Sequence, residues 1–184
     1  MSNIPANFQD AKDLLCKQGF TTSDTWYHGT SSALLESICS QGLKRSGDKA
    51  LKKTAKNTMA TIGNSYTESI EPVFLTQSKE LAYYWAEQTL RERSVRFEGE
   101  AHPVVLALKL PEELLSKIKP DTGAASLLLV GGSSYLADLD AIYKANGQQL
   151  PDIDPATADR MDYLNILGMA YINKNIDAQY LQVL

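Results

Sequence analysis

Histidine is scarce in this chain, with His28 and His102 the only two. His102 precedes Pro103 at the start of an apolar run, which suits a surface position. His28 stands differently. Trp26 and Tyr27 precede it, Gly29-Thr30 follows it, and a helix signal begins at once. A glycine lets a ligand approach the backbone closely, and a helix start favours negative charge. That setting suits a small polar ligand, with a satisfied structural histidine as the plainer alternative. A second place runs from Phe74 to Trp85, where Phe74, Tyr83, Tyr84 and Trp85 put four aromatics in twelve residues. Some of them must be core, and one or two can stack on a planar ring. The third place is Asp177–Leu181. On a strand, Asp177, Gln179 and Leu181 share one face and Tyr180 points to the other.

Other signals bound the chemistry. Lys44–Lys56 carries six basic residues in thirteen, Lys44, Arg45, Lys49, Lys52, Lys53 and Lys56, with only Asp48 opposing them. The segment is either a solvated surface or a patch facing the phosphates of a dinucleotide or a macromolecule. There is no P-loop, nucleophile elbow, dinucleotide fingerprint or metalloprotease helix. Gly131-Gly132-Ser133-Ser134 lacks the P-loop lysine and reads as a turn. Cys16 and Cys39 make no disulfide framework, and no Cys/His spacing matches a zinc site. Cys39 lies among Leu34, Leu35 and Ile38 and reads as a buried structural thiol.

The elements that must position these residues are legible in part. Asn7–Gln18 reads as a helix closed by Gly19. Thr25–Gly29 reads as a strand, followed by a helix capped by Ser31 or Ser32 and stopped by Gly42. Pro72–Thr76 reads as a short buried strand. Ser78 caps a long helix, Lys79–Arg93, with Leu81, Tyr84, Trp85 and Leu90 facing the core. His102–Leu110 is a dense apolar run that suits a central strand. Pro111–Ile118 reads as a helix with proline in its first turn. Leu127–Val130 reads as a strand ended by Gly131, Tyr135–Asn146 as a helix stopped by Gly147, and Ala156–Met169 as a helix. The tail, Ala170–Leu184, reads as two strands joined by a tight connection. The irregular mixture of strands and helices points to α+β.

Composition narrows the function classes. The 184 residues carry 18 Lys+Arg against 22 Asp+Glu, a net charge of −4. This disfavours a globally basic nucleic-acid binder. One domain is expected over 1–184, with an N-terminal helical segment at 1–22 and a basic, polar loop region at 44–71. No secretory signal is visible at the N-terminus. The longest apolar runs, Val104–Leu108 and Leu127–Val130, fall far short of the ~20 residues of a spanning helix. The expectation is a soluble protein of a reducing compartment.

Together the three places resemble the ADP-ribosyltransferase superfamily, on its diphtheria-toxin and poly-ADP-ribose-polymerase side. That family is marked by a His-Tyr-Glu triad on three separated strands. The first motif is Trp26-Tyr27-His28-Gly29-Thr30, then Leu34, Ile38 and Gly42-Leu43. The second is Val73-Phe74-Leu75-Thr76, then Ser78-Lys79 and Ala82-Tyr83. The third is Ala178-Gln179-Tyr180-Leu181, where the family commonly shows Glu-Tyr-Ile. The first two motifs, with the segment between them, span about a third of the chain.

The resemblance implies a split pair of small antiparallel sheets with surrounding helices, and NAD, as substrate, in the cleft between them. It implies no metal. His28 would bond the adenine-side ribose, and Gly29 would hold the nicotinamide carboxamide through its backbone. Tyr83, or Tyr84 one position along, would stack on the nicotinamide ring. Thr30 and Ser78 would belong to the same cofactor-binding set. Phe74 stands where the triad tyrosine is expected, and Gln179 where the catalytic glutamate is expected. Glutamine accepts a hydrogen bond but supplies no charge to an oxocarbenium-like transition state. The resemblance therefore implies single transfer of ADP-ribose to a macromolecule, more a protein than a nucleic acid, with no membrane partner. A bacterial effector or toxin would fit, cytoplasmic in the producing cell or delivered into a host or rival cell. Asp177, on the face of Gln179, is an alternative carboxylate. Glu68 and Glu71 are remoter ones. The alternatives are a catalytically inactive binding module of the same fold, an NAD glycohydrolase, and an NAD-dependent RNA 2′-phosphotransferase, whose paired Arg/His signature is missing.

Overall fold

The structure, a computed structural model, describes residues 4–48, 70–129 and 133–184. The chain opens with a 3-10 turn, Ala6–Phe8, and a single helical turn α1, Ala11–Leu14. The long opening helix read over Asn7–Gln18 does not form. Strand β1, Leu15–Cys16, instead folds back on β2, Gly19–Phe20, with Gly19 at φ 106°. A Cβ at Gly19 would run into the Asn165 carbonyl, so both the positive φ and the close approach demand glycine.

Six further strands make two antiparallel sheets. Strand β3 is Thr25–Ser31, β4 Val73–Leu75, β5 Pro103–Lys109, β6 Lys119–Pro120, β7 Ala170–Ile172 and β8 Leu181–Val183. One sheet has the order β3-β5-β8 and the other β4-β7-β6. The apolar run of β5 does take the central place, with Val105, Leu106 and Leu108 fully buried. The tail departs from its reading. Its two strands do not pair with each other: β7 lies between β4 and β6, whereas β8 lies on β5. Gln179 sits in a 3-10 turn, Ala178–Tyr180, just before β8. The face shared by Asp177, Gln179 and Leu181 therefore does not exist, because alternation begins only at Leu181.

The helices follow their caps. Ser31 accepts from the Ala33 N–H at the entry to a 3-10 turn and helix α2, Leu35–Gln41. Gly42, at φ 78°, ends α2, and Leu43 then exchanges two 2.9 Å backbone bonds with Ile176. Ser78 accepts from Glu80 N–H at the start of α3, Lys79–Ser94. Pro111 is the N-cap of the short α4, Glu112–Leu115, rather than a first-turn residue. Residues 125–129 form helix α5, Ala125–Leu129, not the strand expected there. Asp121 caps the 3-10 turn leading into it, which commits the short apolar run to helix, and Val130 to Gly132 lie outside the described residues. Helix α6 is Ser133–Ala145. Helix α7 is only Arg160–Asn165, since an Asp159–Asp162 capping box starts it late and Gly168, at φ 67°, turns the chain away. Cys39 is exposed, because α2 buries only Ile38.

One apolar core lies between the two sheets and α2, around Trp26, Ile38, Leu75, Leu106 and Ile172. A second joins α3, α6 and α7 through Leu81, Tyr84, Tyr135, Leu139, Tyr143 and Tyr163. Polar groups tie the N-terminal segment to α3. Ser78 Oγ donates to Asp10 Oδ1 at 2.5 Å, Lys79 N–H donates to Asp10 Oδ2 at 2.9 Å, and Ala11 N–H donates to Glu80 Oε2 at 2.5 Å. Asp10 and Glu80 are both buried, so each helix start is completed by the other's carboxylate. Asp10→Ala would leave buried donors unmet and is expected to cost about 2 kcal/mol. Thermal unfolding should show this as a midpoint lower by about 5 °C.

Candidate functional site

Among the described residues, main-chain hydrogen bonds join the two sheets at one place. Tyr27 of β3 and Thr76, just past β4, exchange both main-chain hydrogen bonds at 2.9 Å, and this bridge is isolated. In an antiparallel ladder, successive residues turn their main-chain groups to opposite edges. Tyr27 therefore turns its groups away from β5, and so does Gly29, two residues on. The opposite side of the ladder agrees. Val105 pairs with Gly29 in register, yet its carbonyl accepts from Leu184 N–H at 3.1 Å, on the β8 side. Beyond the bridge the sheets part, and the N–H and C=O of Gly29 open onto a cavity of about 540 Å³ that Gly29 lines. That volume is typical of small-molecule sites, which span ~300–1,000 Å³.

His28 spans the split. Its Nδ1 lies 2.8 Å from the Phe74 carbonyl oxygen. A carbonyl can only accept, so Nδ1 carries the proton. Desolvation holds the imidazole below its ordinary pKa, and the Phe74 carbonyl acts against that shift. The ring is thus neutral at pH 7, with Nε2 as an acceptor. Thr30 lies on the same lining and is almost fully buried. Phe74 also lines the cavity. Its neighbours Val73 and Leu75 are buried, while Phe74 itself is 45% exposed, so the strand turns this ring out of the core.

Gly29 has a different structural reason from the one its sequence suggests. A Cβ there would strike the Ala82 carbonyl and lie 2.5 Å from Ala86 N. What approaches this glycine is helix α3, whose Ala82 and Ala86 are fully buried. This packing also sorts the aromatics of α3. At 100° per residue, Trp85 and Thr89 lie on one flank of the Ala82–Ala86 stripe and Tyr83 on the other. Trp85, Gln88 and Thr89 line the cavity. Tyr83 packs on Phe8, with ring centroids 5.5 Å apart. Tyr84 is buried and meets Tyr135 edge-on at 5.1 Å. Neither tyrosine reaches the cavity, and the aromatic of α3 that does is Trp85. Ser78 is spent on capping α3. Gln179 and Asp177 are not on the lining.

The structure thus brings His28, Gly29, Thr30 and Phe74 together, and leaves Ser78, Tyr83, Tyr84 and Gln179 outside. Of the basic stretch, Lys44 lines the cavity and Arg45 is tied to Ile70 O and Asn175 Oδ1. Lys49, Lys52, Lys53, Lys56 and Glu68 lie outside the described residues. Glu71 lines the cavity, as do Asp48, Glu92 and Asp121. Neither Asp121 nor Glu92 belongs to a motif or periodic pattern that would single it out in the sequence. No group of His, Cys, Asp and Glu among the described residues forms a metal site, and no single helix among them is long and apolar enough to cross a membrane. Comparison with protein-family models, curated proteins and solved structures finds no match.

Proposed function

We propose that this chain is a mono-ADP-ribosyltransferase that uses NAD to modify a macromolecule, a protein rather than a nucleic acid. The observation that carries this is the outward-facing N–H and C=O of Gly29, beside a neutral His28, at the point where two small sheets part. A carboxamide presents one acceptor and one donor, and a strand-edge N–H and C=O satisfy both. Nε2 of His28 accepts from a ribose hydroxyl alongside. Trp85 supplies a ring face near the same cleft, in the part expected of Tyr83 or Tyr84. Two three-stranded sheets hinged at Tyr27–Thr76 support the split architecture that the motifs imply. An acidic overall charge favours a protein acceptor over nucleic acid.

The reaction on this reading is a substitution at the nicotinamide-ribose C1′ atom. The strand edge at Gly29 orients the leaving nicotinamide, and the acceptor attacks from the open side of the cleft. Nicotinamide release from NAD, followed with and without a mixed cell lysate, tests this. Release that depends on lysate, with label passing to a protein band, is expected. Release without lysate would mean a glycohydrolase on the same site. Because Gln179 lies off the cavity, Gln179→Ala is expected to keep release within about threefold of wild type, well under the ~10²-fold loss typical of a transition-state group.

A second reading, the inactive binding module, is favoured by one observation: the expected third triad position lies outside the cavity. It predicts NAD binding with no release under any condition.

A further inference from the structure

We propose that Asp121 is the carboxylate that balances the positive charge developing at the ribose C1′ atom, a part that Gln179 cannot play. This rests on the transferase reading of the cleft. Four carboxylates line the cavity: Asp48, Glu71, Glu92 and Asp121. Asp48 is ion-paired with Arg93. Glu71 and Glu92 are exposed, so water screens them. Asp121 is half-buried and has no ion-pair partner among the described residues.

Its position is set by the sheet. The Asp121 N–H donates to the Met169 carbonyl at 2.9 Å, which extends the β6–β7 ladder by one residue. The β4–β7 register, continued by one, puts Met169 opposite Thr76. Asp121 therefore stands two strand spacings, about 10 Å, from Thr76, the residue bridged to Tyr27. Its Oδ1 accepts from Gly123 N–H at 2.9 Å, which fixes the carboxylate and leaves Oδ2 for the cavity. Lys44, the one cation among the described lining residues, enters from the α2 wall instead. The lining thus offers a cation for a diphosphate and a fixed carboxylate for a cation, which matches a ligand carrying both charges.

In the step, the bond from C1′ to the nicotinamide nitrogen breaks, and its electron pair leaves with neutral nicotinamide. The acceptor's lone pair forms the new bond to C1′. The acceptor's proton passes to the Asp121 carboxylate and on to water. Burial raises the Asp121 pKa, against the Gly123 hydrogen bond, so the rate should climb with pH through a value above the usual aspartate range.

Asp121→Asn tests this, since its amide oxygen still accepts from Gly123. NAD affinity is expected to stay within about threefold of wild type, while nicotinamide release falls about 10²-fold. The acid-side rise in the pH profile should vanish, and Asp121→Glu should restore part of the rate. Release by Asp121→Asn near the wild-type rate, with the pH profile intact, would overturn the role of Asp121 and leave the transferase reading standing. Wild type that binds NAD but never releases nicotinamide would overturn Asp121's role in favour of the binding module. Wild type that binds no NAD at millimolar concentration would overturn the reading of the cleft, and Asp121's part with it.

Discussion

His28→Ala is expected to weaken NAD binding about tenfold and to abolish measurable nicotinamide release. The affinity loss follows from one hydrogen bond of about 1–1.5 kcal/mol at Nε2. The rate loss follows because the ring also holds the two halves of the cleft together. Its Nδ1–H reaches the Phe74 carbonyl at 2.8 Å, across the gap between β3 and β4. His28→Asn separates the two effects, since an amide N–H can still serve Phe74 while the Nε2 acceptor is lost. That variant should keep wild-type stability and bind NAD about tenfold more weakly, as His28→Ala does. The pH dependence has a definite sign. The folded-state pKa of His28 lies below its ordinary value through desolvation. The stability tied to the neutral ring is therefore present above the unfolded value of ~6.5 and is lost as pH falls below it. The unfolding midpoint of His28→Ala should lack that acid-side slope. An unchanged slope, or NAD binding at wild-type strength, would remove His28 from the site.

Gly29→Ala is expected to cost about 3 kcal/mol or more, at the upper end for an overpacked site. The added methyl meets backbone on helix α3, the Ala82 carbonyl and Ala86 N, rather than a side chain that can swing away. Relief requires α3 to lift from β3, and α3 also carries Trp85 at the cavity wall. The midpoint should fall by about 10 °C, with NAD binding lost at temperatures where the fold still holds. A Gly29→Ala protein with wild-type stability would mean that α3 does not sit this close to the strand. If the glycine served ligand access alone, the variant would fold normally and fail only in binding.

Local signals carried much of the fold. The β-branched and aromatic run at Thr25, the Ser31 and Ser78 caps, the Gly42 stop and the dense apolar run of β5 each act within a few residues. Patterns of that range survive folding because the tertiary structure agrees with them. The misreadings fall where distant contacts decide. Leu15 and Cys16 leave the helical pattern because Gly19 turns the chain against Asn165. Leu127 joins a helix because Asp121 caps the turn before it. The tail divides between two sheets, which no local alternation reveals.

The site divides the same way. His28 and Gly29 sit on one strand, so their adjacency was legible. Which edge of that strand stays open depends on Thr76 and Leu184, far along the chain. The choice of Trp85 over Tyr83 follows from Ala82 and Ala86, small residues one turn apart that mark the face lying on Gly29. That spacing is visible in the sequence, but its meaning depends on knowing which strand the helix covers. Asp121 reaches the cavity through a two-residue strand, too short to leave a periodic trace.

The central claim is that NAD is held at the open edge of β3. Titrating the isotope-labelled full chain with NAD, and following the Gly29 amide and the His28 ring by NMR, tests it most directly. Both signals should shift together and saturate at one affinity, with Thr30 moving alongside. Saturable binding that leaves Gly29 and His28 unmoved, or no shift at millimolar NAD, would contradict it.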